Sequence, residues 1–226
     1  VKLAQGDSIE FSHHVLLWQD ESVNLEALPV KGAVNRVRAG IPLVLMRATG
    51  PGHIALSDDK PGEIVALPLE AGGYVDAHAG RFLLATGGVS YTAVPSNIFF
   101  VTQSGDDTDW HYPVGRYLDH FSAGAGRGLV LLHAAGNTFA RTLAEDQDIL
   151  VHPSALLFKD PRVRMSLHIE WPTYEPGSST IFKGRYRSIW LRLTGPGRVA
   201  VQSVFGRAED DGNRITRSSG YSSQHW

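Results

Sequence analysis

A phrase written three times limits what this chain can fold into more than any other feature. "ATGPGHIALS" at 48–57, "AGRGLVLLH" at 125–133 and "LTGPGRVAVQS" at 193–203 align on Gly50-Pro51-Gly52, Gly126-Arg127-Gly128 and Gly195-Pro196-Gly197. Proline presets φ at the first central position of a type II turn and glycine supplies positive φ at the second, so Xaa-Pro-Gly predicts that turn. Behind it, Ile54 and Leu56, Val130 and Leu132, and Val199 and Val201 each place a pair of apolar side chains on one face of a strand.

A second phrase recurs independently: "LLWQDESV" at 16–23, "FLLATGGV" at 82–89 and "LLFKDPRV" at 156–163. Each reads as an apolar strand, a polar turn and a returning strand opened by Val23, Val89 or Val163. Both phrases recur in the same order, which predicts a triplicated β unit. The expected repeats span 1–72, 73–146 and 147–206, with a polar tail over 207–226. Helical periodicity is nearly absent. The best helical candidate, Asn137 to Leu150, also alternates as a strand through Phe139, Arg141 and Leu143. With 24 glycines and 12 prolines punctuating short apolar runs, the expected class is all-β.

These stretches resemble a known family. "AVNRVRAGIPLVLMRATGPGHIALS", then "GRFLLATGGV", then "GRGLVLLHAAGNTFARTLAEDQDILVHPSALLF" is similar to the AIM24 family over roughly residues 3 to 205. The resemblance implies three tandem β-sandwich-like repeats, each a short variant of the double-stranded β-helix similar to the tryptophan RNA-binding attenuator protein. It also implies assembly as a homotrimer, and it carries no accepted catalytic residues. The fungal member is associated with the mitochondrial inner membrane, and the bacterial members have no settled biochemical role. Oligomerisation is expected on physical grounds too. A tandem β unit leaves a strand edge at each end of the chain, and pairing those edges between copies satisfies their backbone groups.

Signals for catalysis are weak. A cupin-like metal enzyme needs two histidines one residue apart on a strand, whereas the adjacent His13 and His14 would point to opposite faces. His78 and His152 fall at equivalent places, four residues before the second phrase, as a repeated structural role would require. "GAGRG" at 124–128 lacks the Gly-Lys-Ser/Thr of a phosphate loop, fails the dinucleotide fingerprint at Leu129 and precedes a strand rather than a helix. No Gly-Xaa-Ser-Xaa-Gly occurs. The expectation is therefore a protein that is not an enzyme and uses no cofactor.

Net charge of −2 excludes a globally basic nucleic-acid binder, and the absence of cysteine excludes disulfides and thiolate metal sites. The longest purely apolar run, Ile41 to Met46, is far short of the ~20 residues of a membrane-spanning helix. With no signal peptide evident, a cytoplasmic protein is expected. Two local features stand out. The middle repeat carries the longest connection, centred on 104–120 with Asp106, Asp107, Asp109, Trp110, His111 and His120; a binding loop could sit there, but an exposed hairpin without ligand, or a subunit contact made by Trp110 and Tyr112, is the favoured expectation. Between Glu175 and Glu209 there is no acid, while Lys183, Arg185, Arg187, Arg192 and Arg198 are all basic. That stretch is the candidate binding site for an anionic ligand or membrane surface, with nucleic acid disfavoured because the basic pattern is not repeated in all three units. A non-catalytic, ring-forming scaffold or binding protein is the leading expectation, this anion site the alternative, and the metal enzyme ranks last.

Overall fold

The computed structural model describes residues 1–28, 44–104, 107–170 and 188–205. Their regular structure is β-strand, interrupted by two single 3-10 turns, at His13–Val15 and Pro153–Ala155. The first group of strands is Lys2–Leu3 (β1), Ser8–Ser12 (β2), Leu16–Gln19 (β3), Asn24–Leu28 (β4), Leu45–Thr49 (β5) and Gly52–Leu56 (β6). The second is Gly62–Leu69 (β7), Tyr74–His78 (β8), Phe82–Thr86 (β9), Val89–Pro95 (β10), Phe100–Ser104 (β11), Asp107–His111 (β12), Tyr117–Ala123 (β13) and Gly128–Ala135 (β14). Thr138–Leu143 (β15), Asp148–Val151 (β16), Leu156–Lys159 (β17), Arg164–Glu170 (β18), Ser188–Thr194 (β19) and Gly197–Gln202 (β20) follow.

The same antiparallel pairings occur in each group. One three-stranded set is β1-β6-β3, β7-β14-β9 and β15-β20-β17. The other is β4-β5-β2, β10-β13-β8 and β18-β19-β16. Even the irregularities match, since the pairs β3-β6, β9-β14 and β17-β20 each carry a register shift. Two further pairings join the groups: β2 lies against β9, and β8 against β17. These seams merge the three-stranded sets into two six-stranded sheets and leave β1-β6-β3 and β16-β19-β18 as three-stranded sheets.

Strand formation follows the apolar alternation. Val23, Val89 and Val163 are all buried, and so are Ile54, Val130 and Val199 behind the glycine turns. The helical alternative for 137–150 gives way to β15 and β16, consistent with the alternation through Phe139 and Arg141. β7 and β15, which precede the two phrases in their groups, pair forward with β14 and β20 respectively. One expectation needs correction. The Gly50-Pro51 and Gly195-Pro196 bonds are cis, whereas a type II turn is all trans. Gly52 and Gly197 still take positive φ, at 143° and 140°.

Three apolar clusters fill the interior. The first joins Ile9, Phe11, Val15, Val23, Ala48 and Ile54 with Leu83 and Leu84 of β9. The second joins Val75, Ala77, Phe82, Val89, Phe121 and Val130 with Leu157 and Phe158 of β17. The third gathers Leu143, Leu156, Val163, Leu191, Leu193 and Val199, with Ile98 and Val114 from the long connection of the second group.

Candidate functional site

The seams determine which surfaces are left open. At the first, Phe11 faces Leu84 and Glu10 faces Ala85. At the second, Ala77 faces Phe158 and Asp76 faces Lys159. Each seam brings two residues of the following group's apolar strand into the preceding group's core: Leu83 and Leu84 at one, Leu157 and Phe158 at the other, none more than 4 % exposed. Their counterparts in the first group, aligned through the phrase at 16–23, are Leu17 and Trp18, which are 67 % and 52 % exposed. Among the described residues, no strand lies beyond β3 to receive them. At the other end, β16 pairs among the described residues with β19 alone, and its Leu150 is exposed. The chain therefore ends, among the described residues, in an open donor edge and an open acceptor edge.

Polar side chains mark the same rows. Register places Arg47 opposite Glu10, His120 opposite Asp76 and Arg192 opposite Leu150. Arg47 Nη2 donates to Glu10 Oε1 at 2.6 Å and Nη1 to Glu26 Oε1 at 3.0 Å, and the bond from Glu10 is the largest influence holding its guanidinium above the ordinary pKa. At the second seam, Lys159 Nζ donates to Asp76 Oδ2 at 2.8 Å, while His120 Nδ1 lies 2.7 Å from Asp76 Oδ1. Lys159 is buried, so this carboxylate neutralises an ammonium otherwise cut off from water. The third row lacks an acid at the Leu150 position. Arg192 Nη2 instead donates to His168 Nδ1 at 2.7 Å, with Nε 3.8 Å from Asp148 Oδ2.

Of the expected anion-binding residues, Lys183, Arg185 and Arg187 lie outside the described residues. Arg192 and Arg198 have different partners. Arg198 forks onto Asp160, with Nε and Nη2 each 3.1 Å from a carboxylate oxygen, and its backbone N–H donates to the same carboxylate at 2.9 Å. That last bond recurs in the other groups: His53 N–H donates to Asp20 at 2.8 Å, and Leu129 N–H to the Thr86 hydroxyl at 3.0 Å. Asp20, Thr86 and Asp160 thus fasten one turn onto the next strand. The His53 side chain and backbone bonds, in that order, hold the Asp20 carboxyl below its ordinary pKa.

The connection around 104–120 forms a hairpin, β11-β12, with residues 105–106 and hence Asp106 outside the described residues. Phe100 and His111 stack at 4.7 Å on its buried face, whereas Trp110 is exposed and packs against Phe99 at 5.1 Å. His120 belongs to β13 and to the Asp76 network rather than to this hairpin. His78 Nδ1 lies 3.0 Å from the Ala79 carbonyl oxygen and His152 Nδ1 2.9 Å from the Ser154 hydroxyl, each within its own turn. Among the described residues, no group of three or more histidines and carboxylates that could hold a metal is found, and no helix is long and apolar enough to cross a membrane.

Antiparallel sheets joined strand to strand, with an open edge at each end, define an all-β protein of modular build. The chain belongs to the AIM24 family, described as Mitochondrial biogenesis AIM24, which it matches over residues 1–204. Its fold is similar to the crystal structure of protein SPYM3_0169 from Streptococcus pyogenes, with a TM-score of 0.60 at 20% identity, over 90% of this chain and 86% of that one. No curated protein matches the chain.

Proposed function

We propose that the chain is three tandem copies of one β unit and acts as a non-catalytic, cytoplasmic scaffold or binding protein that closes into a ring with copies of itself. In this reading the units begin at β1, β7 and β15, so the second and third start at 62 and 138 rather than at the expected 73 and 147, and the ring is the homotrimer that the family resemblance implies. One observation carries this reading. The first two cores are each completed by two residues of the next unit, whereas Leu17 and Trp18, the residues able to complete the third, stand exposed at the opposite end of the chain. Placing β3 of one copy against β16 of another, in the register of the two internal seams, sets Trp18 against Val151 and Gln19 against Leu150. Each large apolar side chain withdrawn from water contributes about 1.5–3 kcal/mol, and the pairing satisfies two strand edges.

Light scattering on the purified chain tests this reading. The expected mass is three times the 24.6 kDa of one copy, and a monodisperse 24.6 kDa species at micromolar concentration overturns it. In the second reading, an anion site on the basic stretch, Lys183, Arg185 and Arg187 supply the charge, since Arg192 and Arg198 already face carboxylates. Anionic vesicles that retain the protein at low salt, and release it on Arg185→Glu with Arg187→Glu, favour that reading.

A further inference from the structure

The two seams within the chain, and the third that the ring reading places between copies, follow one plan but do not carry the same chemistry. In each, one side chain from the donor strand meets one from the acceptor strand on the row that also bears Arg47, His120 or Arg192. Inside the chain those pairs are Glu10 with Ala85 and Asp76 with Lys159. By the same register, the seam between copies pairs Leu150 with Gln19. We propose that this non-ionic pair specifies the seam between copies, and that the buried Asp76–Lys159 ion pair reserves β17 for β8, so that the free β16 edge is turned onto β3 of another copy.

The proposal rests on the ring reading and adds what decides the partner strand. Were β16 to displace β8 from β17, Leu150 would face Lys159. The ammonium would then lie buried without a carboxylate, on a row whose next member is the cation Arg192. An unpaired buried charge is among the costliest defects an interface can carry. Asp76 answers that charge at 2.8 Å, and its second oxygen is taken up by His120, so the network is closed within the chain. β3 presents no such demand. Its Gln19 is neutral, so an apolar Leu150 faces it without stranding a charge.

Gln19 supplies an independent observation. Its Oε1 is buried yet has no hydrogen-bond partner among the described residues, whereas Lys159 at the equivalent position has Asp76. A buried acceptor left open at a strand edge is a defect in isolation. A turn of the Gln19 side chain at the open edge brings this amide to the row of a second copy that carries Arg192, whose guanidinium has five N–H donors.

Transplanting the internal pair into the open seam tests the proposal. Gln19→Lys alone places an ammonium against Leu150 and is expected to weaken assembly at least about a hundredfold, the change that the cost of a buried unpaired charge implies. Adding Leu150→Asp recreates the Asp76–Lys159 arrangement and is expected to bring the association constant back to within about threefold of the wild type. Sedimentation equilibrium over a concentration series reads both, and unchanged thermal melting of the dilute variants shows that each copy is still folded. If the wild type assembles and Gln19→Lys leaves assembly unchanged, or the double variant stays as weak as the single, this proposal is overturned while the ring stands. A wild type that remains monomeric overturns both.

Discussion

Val89 fills the space that a side chain on Gly128 would need: a Cβ at Gly128 would overlap the Val89 Cγ2 methyl. The relationship recurs at the other two turns, where a Cβ on Gly52 would stand 2.7 Å from Val23 Cγ2 and one on Gly197 would stand 2.9 Å from Val163 Cγ2. The valine of one repeated phrase is thus seated on the glycine of the other. Gly128, which does not share the positive φ of Gly52 and Gly197, isolates the packing effect.

Gly128→Ala is therefore expected to cost about 1–3 kcal/mol, the usual range for overpacking a core. Val89→Ala in the same chain makes room, so the double variant should be more stable than the sum of the two single changes predicts. Urea unfolding of the four proteins measures the coupling, and strict additivity would show that the two residues do not compete for space.

Removing the Asp76 carboxylate leaves the Lys159 ammonium buried at the second seam. Asp76→Ala is expected to destabilise the chain by about 3–5 kcal/mol, whereas replacing Asp76 by leucine and Lys159 by methionine together should cost far less. Chemical denaturation distinguishes the two cases. A small loss in Asp76→Ala would mean that water reaches the ammonium.

Asp20 gives a prediction in pH. Its bonds to His53 lower its pKa in the folded chain below the ordinary 3.8, so the folded state favours the ionised carboxylate. The stability this provides is present above the unfolded value and is lost as pH falls through the lower folded value. Carboxyl carbon NMR should give a midpoint below 3.8, which moves up on His53→Ala. Asp20→Asn should flatten the acid limb of the stability profile, and an unchanged limb would remove the group from that account.

At the open edge, Trp18→Lys puts a charge where the third core would be completed. The expected outcome is a folded monomer, seen as a fall in mass by light scattering with the β-sheet circular dichroism unchanged. Leu84→Lys, the equivalent change inside the chain, should instead compromise the fold, because Leu84 is already buried in the first core. Equal behaviour of the two variants would count against treating the positions as counterparts.

Much of the architecture was legible because the turns repeat. Glycine before an alternating apolar pair, and valine after a polar turn, are local signals, and both lie where the strands begin. The partners of β7 and β15 are not legible, because "GEIVALPL" and "TFARTL" carry no mark of which neighbour they pair with. The cis geometry at Pro51 and Pro196 is hidden for a related reason, since Gly-Pro-Gly fits a trans turn equally well on sequence alone. For the basic stretch, sequence showed the charge of Arg192 and Arg198 but not the carboxylates opposite them, which come from positions 148 and 160.

The sequence by itself determined the all-β class, the turn residues and the two phrases, because strand alternation and turn chemistry act between residues close along the chain. Only the tertiary structure decided that a strand of one group completes the core of the group before it, that Asp76 answers Lys159, and that Leu17 and Trp18 are exposed while Leu157 and Phe158 are buried. "LLWQ" and "LLFK" are nearly the same strand in composition. What separates them is whether another strand lies alongside, and that depends on residues distant in sequence, whose pairing is set when the whole chain packs.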